Sequence, residues 1–366
     1  VTEPVRIGLV GCGFISGAYL RTAPRFDILQ VKACADRDGK AAGARAAEFG
    51  ITAMPVDELL ADPEIEIVVN LTTPQAHVDV DLQILAAGKH AHSEKPLAVS
   101  LAEANRLRAV AEETGLRVGC APDTFLGGAH QTARHLLDSG RIGEPVAGTA
   151  FMMLRGHERW HPNPDFYYQP GGGPMFDMGP YYLTCLVNLL GPVARVMGMA
   201  KATFDSRTIE SGPRTGAQVP VDVATHISAV LQFASGAHVT VVMSFDVWKH
   251  QHSPIEIYGT EGSMLVPDPN HFGGTVQVSQ GRDEWEPVEP VFPHADGEFR
   301  IIGAADMAAA LRTGRPHRAS MELAYHVLEV MEAAERAATT GRIVEIDSRC
   351  ERPAALPEGA PLGRFD

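Results

Sequence analysis

The chain has 366 residues, 45% hydrophobic and 21% charged, a balance that excludes a disordered or fibrous protein and favours two domains over one. A formal net charge of −14, with no compensating Lys/Arg stripe, repels polyanions and argues against a nucleic-acid partner. Five scattered cysteines without a C-x-x-C pair do not read as a disulfide framework or a zinc site, and no apolar stretch approaches the roughly 20 residues of a membrane span. The expectations are a reducing cytoplasm, no membrane partner and no targeting segment.

From the N-terminal side, short apolar runs at Val5–Val10, Val31–Ala35, Ile65–Leu71, His90–Ser93 and Arg117–Ala121 alternate with amphipathic stretches. This is how parallel βαβ units read. The first run ends in Gly11-Cys12-Gly13-Phe14-Ile15-Ser16, which opens a helix. Gly11 permits a tight turn, Gly13 permits close approach of a pyrophosphate, and the free N–H groups at a helix start face its charge. Phe14 and Ile15 belong to the same cofactor loop. Asp36 ends the second run, 23 residues after Gly13, where a carboxylate accepts hydrogen bonds from an adenosine ribose. That favours NAD; the adjacent Arg37 keeps NADP open, since it can stack on adenine or meet a 2′-phosphate.

The third run leads into Thr72-Thr73-Pro74, whose backbone is expected along the nicotinamide half of the cofactor. His77 follows, either as a cofactor contact or as a packing and capping histidine. Glu94-Lys95-Pro96 ends the fourth run, at the sheet edge where open α/β folds bind ligands. Ser100 and Glu103 have capping-box spacing and Gly115 supplies a stop, which predicts a helix over Ser100–Thr114. Asp123-Thr124-Phe125 follows the fifth run.

Beyond Gly143 the pattern changes to longer alternating strands, including a hairpin of Thr225–Phe233 with Ala237–Phe245 about Ala234-Ser235-Gly236. Helices are expected at Met175–Leu190, Glu298–Arg312 and Ser320–Thr340. Ser348–Asp366, rich in Pro and Gly, reads as a surface tail. The polar, aromatic stretch Arg155–Tyr168 offers His157 and Trp160 as sugar contacts, with a subunit-contact loop as the alternative. After the glycine run Gly171–Gly173, Asp177 and Tyr181 are four apart and share a helix face. His90/His92 and His250/His252 have strand spacing but no carboxylate or cysteine to complete a metal set, so no metal is expected.

Gly11-x-Gly13, Thr73-Pro74 with His77, Glu94-Lys95-Pro96, Gly171–Gly173 with Asp177-x-Gly179, and Tyr258–Ser263 occur in the order and spacing of the Gfo/Idh/MocA family. That family groups glucose–fructose oxidoreductase, inositol dehydrogenases and related sugar enzymes, and the chain resembles it over residues 5–346. The resemblance implies that Lys95 hydrogen-bonds the reacting hydroxyl and that the Lys95–Pro96 peptide is cis. It also implies that Glu94 and Lys95 line the cofactor, and that Asp123, standing where many relatives carry an Arg or Asn near the cleft, is a different, candidate substrate contact. Most members resemble D-x-G-x-H where this chain has Asp177-Met-Gly-Pro-Tyr181, and glucose–fructose oxidoreductase is similar in using Tyr. Tyr181 then exchanges the proton, Lys95 lowers its pKa, and Asp177 positions the substrate; Lys95 as the base is the alternative.

The expected architecture is an α/β Rossmann domain, a doubly wound parallel sheet over residues 1–122 to which C-terminal helices return. An α+β domain over 123–347, built on a large, mostly antiparallel open-faced sheet, follows, then the tail. By resemblance the open face joins subunits into a homodimer or homotetramer. The expected activity is NAD(P)-dependent hydride transfer at a secondary hydroxyl of a sugar, glycoside or cyclitol. The alternatives are a redox glycosidase that oxidises C3 and regenerates its cofactor, and a non-catalytic NAD-sensing regulator.

Overall fold

A computed structural model describes residues 3–366. Six parallel strands build the first sheet: β1 (Val5–Val10), β2 (Leu29–Ala35), β3 (Thr52–Ala53), β4 (Ile67–Asn70), β5 (His90–Ser93) and β6 (Val118–Cys120). Their order is β3-β2-β1-β4-β5-β6, so the connection reverses between β1 and β4 and opens a crevice at the carboxyl ends of those strands. The helices α1 (Ser16–Thr22), α2 (Gly39–Phe49), α3 (Val56–Ala61), α4 (His77–Ala86) and α5 (Leu101–Thr114) connect them. The expected capping holds in α5, where Ser100 Oγ accepts from the Glu103 amide and Gly115 closes the helix at φ 68°. The two-residue β3 is too short and too exposed to leave an apolar pattern, which is why the sequence predicts one strand fewer.

Nine strands form the second, mixed and mostly antiparallel sheet. In chain order they are β7 (Pro145–Met153), β8 (Val193–Lys201), β11 (His226–Phe233), β12 (His238–Ser244), β13 (Ile255–Gly259), β14 (Gly262–Val266), β15 (Val276–Gln280), β16 (Glu286–Val288) and β17 (Val344–Glu345). The predicted hairpin is β11 against β12. A separate ribbon pairs β9 (Ser206–Thr208) with β10 (Gln218–Pro220). Helices α6 (Gly128–Asp138), α7 (Gly173–Leu190), α8 (Ile302–Thr313) and α9 (Met321–Thr340) complete the chain. Nearly every residue of α7 is buried, in keeping with its apolar run.

Segments near the C-terminus contact elements around the first sheet. The Leu101 amide donates to Glu332 on α9, the Cys120 amide to the Ala319 carbonyl, and Arg312 on α8 pairs with Glu66. Helix α8 begins later than the sequence predicts, at Ile302, because Ile301 adopts a left-handed conformation with φ 90°.

Residues 348–366, expected as a surface tail, lie largely at the surface but are anchored at several points. Phe365 is 2% exposed and stacks near Phe26 and His294. Arg318 donates to the carbonyls of Ala354, Ala355 and Phe365, Arg134 donates to that of Pro353, and the Leu356 amide donates to Gln131. Carbonyls that cannot pair within a Pro/Gly-rich segment are satisfied by these buried guanidiniums instead, so the segment is a strap.

Candidate active site

The carboxyl ends of β1 and β4 meet at Gly11. Its φ of 100°, and a Leu71 carbonyl 2.6 Å from where a Cβ would stand, make glycine obligatory there. Gly13 has open space where its Cβ would be, which leaves its backbone accessible to a ligand. Phe14 is 97% exposed at the same loop, and Ile15 is half-buried. Asp36 is oriented by two amides, with Oδ2 accepting from Cys12 (2.7 Å) and Oδ1 from Asp38 (2.9 Å), so a loop amide and the carboxylate meet at one point. Arg37 is exposed beside it. This donor set fits a dinucleotide: a bare glycine backbone at a helix start for the pyrophosphate, and a carboxylate with free lone pairs for the ribose.

The loops after β4 and β5 are tied to each other from below. Asn70 donates to the His77 carbonyl and to Asp81, Ser93 donates to Asp81, and Thr72 donates to Asn70 Oδ1. Thr73 is exposed and Pro74 half-buried, both available to a ligand. His77 is wholly buried, with Nδ1 2.8 Å from the Pro96 carbonyl and Nε2 3.1 Å from the Thr72 carbonyl. Of its two readings, burial between the two loops, with a ring nitrogen facing a carbonyl on each side, accords with the packing one. Burial raises Asp81 to about 6 despite the hydrogen bonds from Ser93 and Asn70.

Glu94, Lys95 and Pro96 follow β5, with a cis Lys95–Pro96 peptide. Glu94 takes the Tyr19 hydroxyl on Oε1 (2.8 Å) and the Lys95 amide on Oε2 (3.0 Å), bracing α1 against this loop. The Lys95 ammonium reaches α7. Pro180 inside that helix leaves the Phe176 carbonyl without its helical donor, and one residue on the Asp177 carbonyl accepts from Lys95 Nζ at 2.7 Å while Asp177 Oδ1 accepts at 2.9 Å. Two of the three ammonium hydrogens are thereby placed and one remains for a reacting oxygen. Burial would lower the Lys95 pKa, but Asp177, Tyr181 and Glu94 outweigh it and hold the ammonium above its ordinary range.

Asp177 binds on both sides. Its Oδ2 lies 2.8 Å from His157 Nε2, and His157 Nδ1 accepts from Trp160 Nε1 at 3.2 Å. The indole is a donor only, so it requires the tautomer in which Nε2 carries the proton toward Asp177. Burial opposes the Asp177 charge, yet Lys95 and His157 prevail and push its pKa below the usual carboxylate range. Trp160 itself is 60% exposed, at the outer end of this chain of contacts.

Tyr181 lies one turn along α7 from Asp177, with its ring centroid 5.2 Å from Lys95 Nζ. It is 6% exposed, and its hydroxyl accepts from Arg300 Nη1 at 3.3 Å. Burial is the largest influence and raises the phenol, against Lys95 and Arg300 which lower it. The expectation that Lys95 brings the phenol down is thus corrected: the cation acts in that direction but does not overcome desolvation.

Asp123 is also corrected as a substrate contact. It is fully buried, and its Oδ2 accepts from the amides of Ile301 (3.1 Å) and Gly303 (2.9 Å), capping α8 rather than facing a cleft. Burial raises its pKa to about 6. Sequence reasoning missed Arg300, which lies in the irregular segment before α8 and carries no motif.

Profile comparisons follow the same two domains. The family described as "Oxidoreductase family, NAD-binding Rossmann fold" matches residues 5–121, and the "GFO/IDH/MocA C-terminal domain" matches residues 130–265. The chain belongs to the Gfo/Idh/MocA oxidoreductase family. Among relatives, a 1,5-anhydro-D-fructose reductase of Ensifer adhaerens is 27% identical over 94% of this chain and 99% of its own. A dTDP-3,4-didehydro-2,6-dideoxy-alpha-D-glucose 3-reductase of Streptomyces violaceoruber is 31% identical over 93% and 97%. A solved levoglucosan dehydrogenase in complex with NADH and levoglucosan superposes with a TM-score of 0.80 at 22% identity, over 94% of this chain and 100% of that one, which bears on the fold alone. As a Gfo/Idh/MocA member the protein is an oxidoreductase with an NAD-binding Rossmann domain, in a family whose named relatives here process sugars. Among the described residues, no helix is long and apolar enough to cross a membrane, and no cluster of three or more His, Cys, Asp or Glu is arranged for a metal.

Proposed function

We propose that the protein oxidises a secondary hydroxyl of a sugar, glycoside or cyclitol, or reduces the matching ketone, with NAD preferred over NADP. The observation that carries this reading is the Lys95–Asp177–His157 chain beside Tyr181, at the sheet edge onto which the dinucleotide loop opens. A dinucleotide bound there would be held by Gly11 and Gly13 at its pyrophosphate, by Asp36 at its ribose and by the Thr72–Pro74 loop, and would supply the acceptor or donor of the hydride.

The remaining chemistry belongs to the side chains. Lys95 points its free N–H at the reacting oxygen and stabilises negative charge on it, in surroundings where the ammonium is retained. Tyr181 exchanges the hydroxyl proton. Because its phenol is raised, the base form gains with rising pH, so oxidation speeds up toward alkaline pH and ketone reduction is favoured below it. Asp177 keeps Lys95 charged and in place, and His157 with Trp160 forms the wall toward solvent. Relatives whose names carry 1,5-anhydro-D-fructose and levoglucosan favour a substrate of monosaccharide size.

The test is a fluorimetric screen of the purified protein with NAD+ and NADP+ against sugars, anhydrosugars, glycosides and inositols. Stoichiometric NADH release with at least one member is expected; product formation without net NADH would point instead to internal cofactor recycling, and no turnover of any class would refute the reading. The exposed Met197, Met199 and Val230 on the outer face of the large sheet support association through that face, for which sedimentation as a stable monomer would be the contrary result.

A further inference from the structure

Arg300 is buried where few arginines would be tolerated without a task, and every part of it is held. Its Nη1 donates to the Tyr181 hydroxyl, its Nη2 to Asn270 Oδ1 at 3.2 Å, and its Nε lies 3.5 Å from Glu298. The Arg300 carbonyl accepts from the Thr22 hydroxyl on α1, the helix that opens from the dinucleotide loop. The next residue, Ile301, is β-branched and fully buried at φ 90°, a conformation such residues rarely adopt. Both Ile301 and Gly303 amides are fastened to the same oxygen of Asp123, so the unfavourable backbone is imposed from outside the segment. Strain of this kind is found where a side chain must be aimed.

We propose that Arg300 is a positioning residue for the reaction: it holds the Tyr181 oxygen in place and supplies the second positive charge, beside Lys95, that stabilises the phenolate. The inference rests on Tyr181 being the proton-exchanging group. In alcohol oxidation the substrate O–H breaks and its proton joins the phenolate oxygen as the C–H electron pair leaves as hydride; in reduction the same proton returns. The phenolate form is thus present on one side of each turnover, and a guanidinium, which stays protonated throughout, donates to it without exchanging a proton of its own. The charged and titratable groups facing Tyr181 are Lys95 and Glu94 from the loop after β5, Arg300 from the segment before α8, Tyr167 from the loop before α7, and Asp177 from its own helix. The two cations oppose Glu94 and the burial of the ring.

The test reads the phenol without turnover. Protein labelled with difluorotyrosine, whose hydroxyl ionises near neutrality, is titrated by fluorine NMR, and the Tyr181 resonance is the one lost in Tyr181→Phe. Arg300→Gln should raise the midpoint of that resonance by about one pH unit or more, while Arg300→Lys, which keeps the charge, should stay within about half a unit of wild type. The pH limb of kcat should move with it. An Arg300→Gln midpoint indistinguishable from wild type would overturn the proposal and leave Arg300 an ordinary buried brace. Should that variant fail to fold, Arg300→Lys decides, and a rise of more than about one unit there refutes the role of charge. Wild-type turnover in Tyr181→Phe would instead sink the proton-exchange reading on which the proposal stands, whatever the titration shows.

Discussion

Replacing Asp177 by Asn tests whether the carboxylate keeps Lys95 charged. In the native site one oxygen of Asp177 faces Lys95 Nζ at 2.9 Å and the other faces His157 Nε2 at 2.8 Å, so both oxygens accept. An amide has one oxygen and can serve only one of these donors; the other then meets an NH2 group. At an effective dielectric of about 20, two unit charges 2.9 Å apart attract by roughly 6 kcal/mol. Retention of one hydrogen bond and of Glu94 nearby reduces the loss to about 3 kcal/mol, the lower end of what removing one partner of a buried pair costs. At about 1.4 kcal/mol per pH unit, the Lys95 pKa should fall by roughly two units. The sign follows from the cause: the ammonium loses the anion that favours it, so it deprotonates earlier as pH rises. The assay is kcat/KM against pH, at saturating NAD+, with whichever substrate the screen finds. Wild type should hold its activity into strongly alkaline solution, while Asp177→Asn should lose activity along a limb some two units lower. An unchanged alkaline limb in the variant would refute the argument that this pair sets the charge of Lys95.

Asp36→Ala removes the carboxylate that awaits the ribose and should shift the ratio of NAD to NADP efficiency by about tenfold or more toward NADP, read by cofactor titration; an unchanged ratio would mean that selectivity lies elsewhere. Phe365→Ala should destabilise the fold by roughly 3 kcal/mol and expose the strap to carboxypeptidase, and a native melting temperature would contradict its burial. His92 is fully buried without a hydrogen-bond partner on either nitrogen, and burial lowers its pKa to about 3. The unfolded chain therefore binds a proton there that the folded chain refuses, and stability declines as pH falls from about 6.5 toward 3. Urea midpoints should show His92→Leu gaining on wild type between pH 7 and pH 4.5 by roughly 2–3 kcal/mol, and an equal difference at both pH values would refute this.

What was legible in the sequence and what was not divide along physical lines. The alternation of apolar runs and helices, the Gly11 turn and the cap at Ser100 are local, and local sterics and hydrogen bonds determine them. Asp177 and Tyr181 share a helix face by spacing alone. Lys95 and Asp177, 82 positions apart, meet only because the parallel sheet and α7 converge, and only ordered motifs announced it. Arg300 could not be read because its placement depends on a left-handed Ile301, a residue type that gives no warning of that conformation. Asp123 was a candidate only by analogy with the cleft residues of relatives, whereas here the amides of Ile301 and Gly303 claim it. Composition suggested only a surface tail, and the anchors were not legible: the Phe365 carbonyl meets the Arg318 guanidinium and the Leu356 amide meets the Gln131 side chain, both far away in sequence. The Tyr181 phenol depended on a contest of magnitudes, burial against two cations, that residue identity does not decide.

The claim on which the account rests most is that the Lys95 ammonium acts on the reacting oxygen, and Lys95→Met measures it most directly. Turnover in the presence of saturating NAD+ should drop by about a thousandfold or more while the affinity for NAD+, followed by fluorescence, stays within about threefold. A Lys95→Met protein that binds NAD+ and turns over within about tenfold of wild type would contradict it.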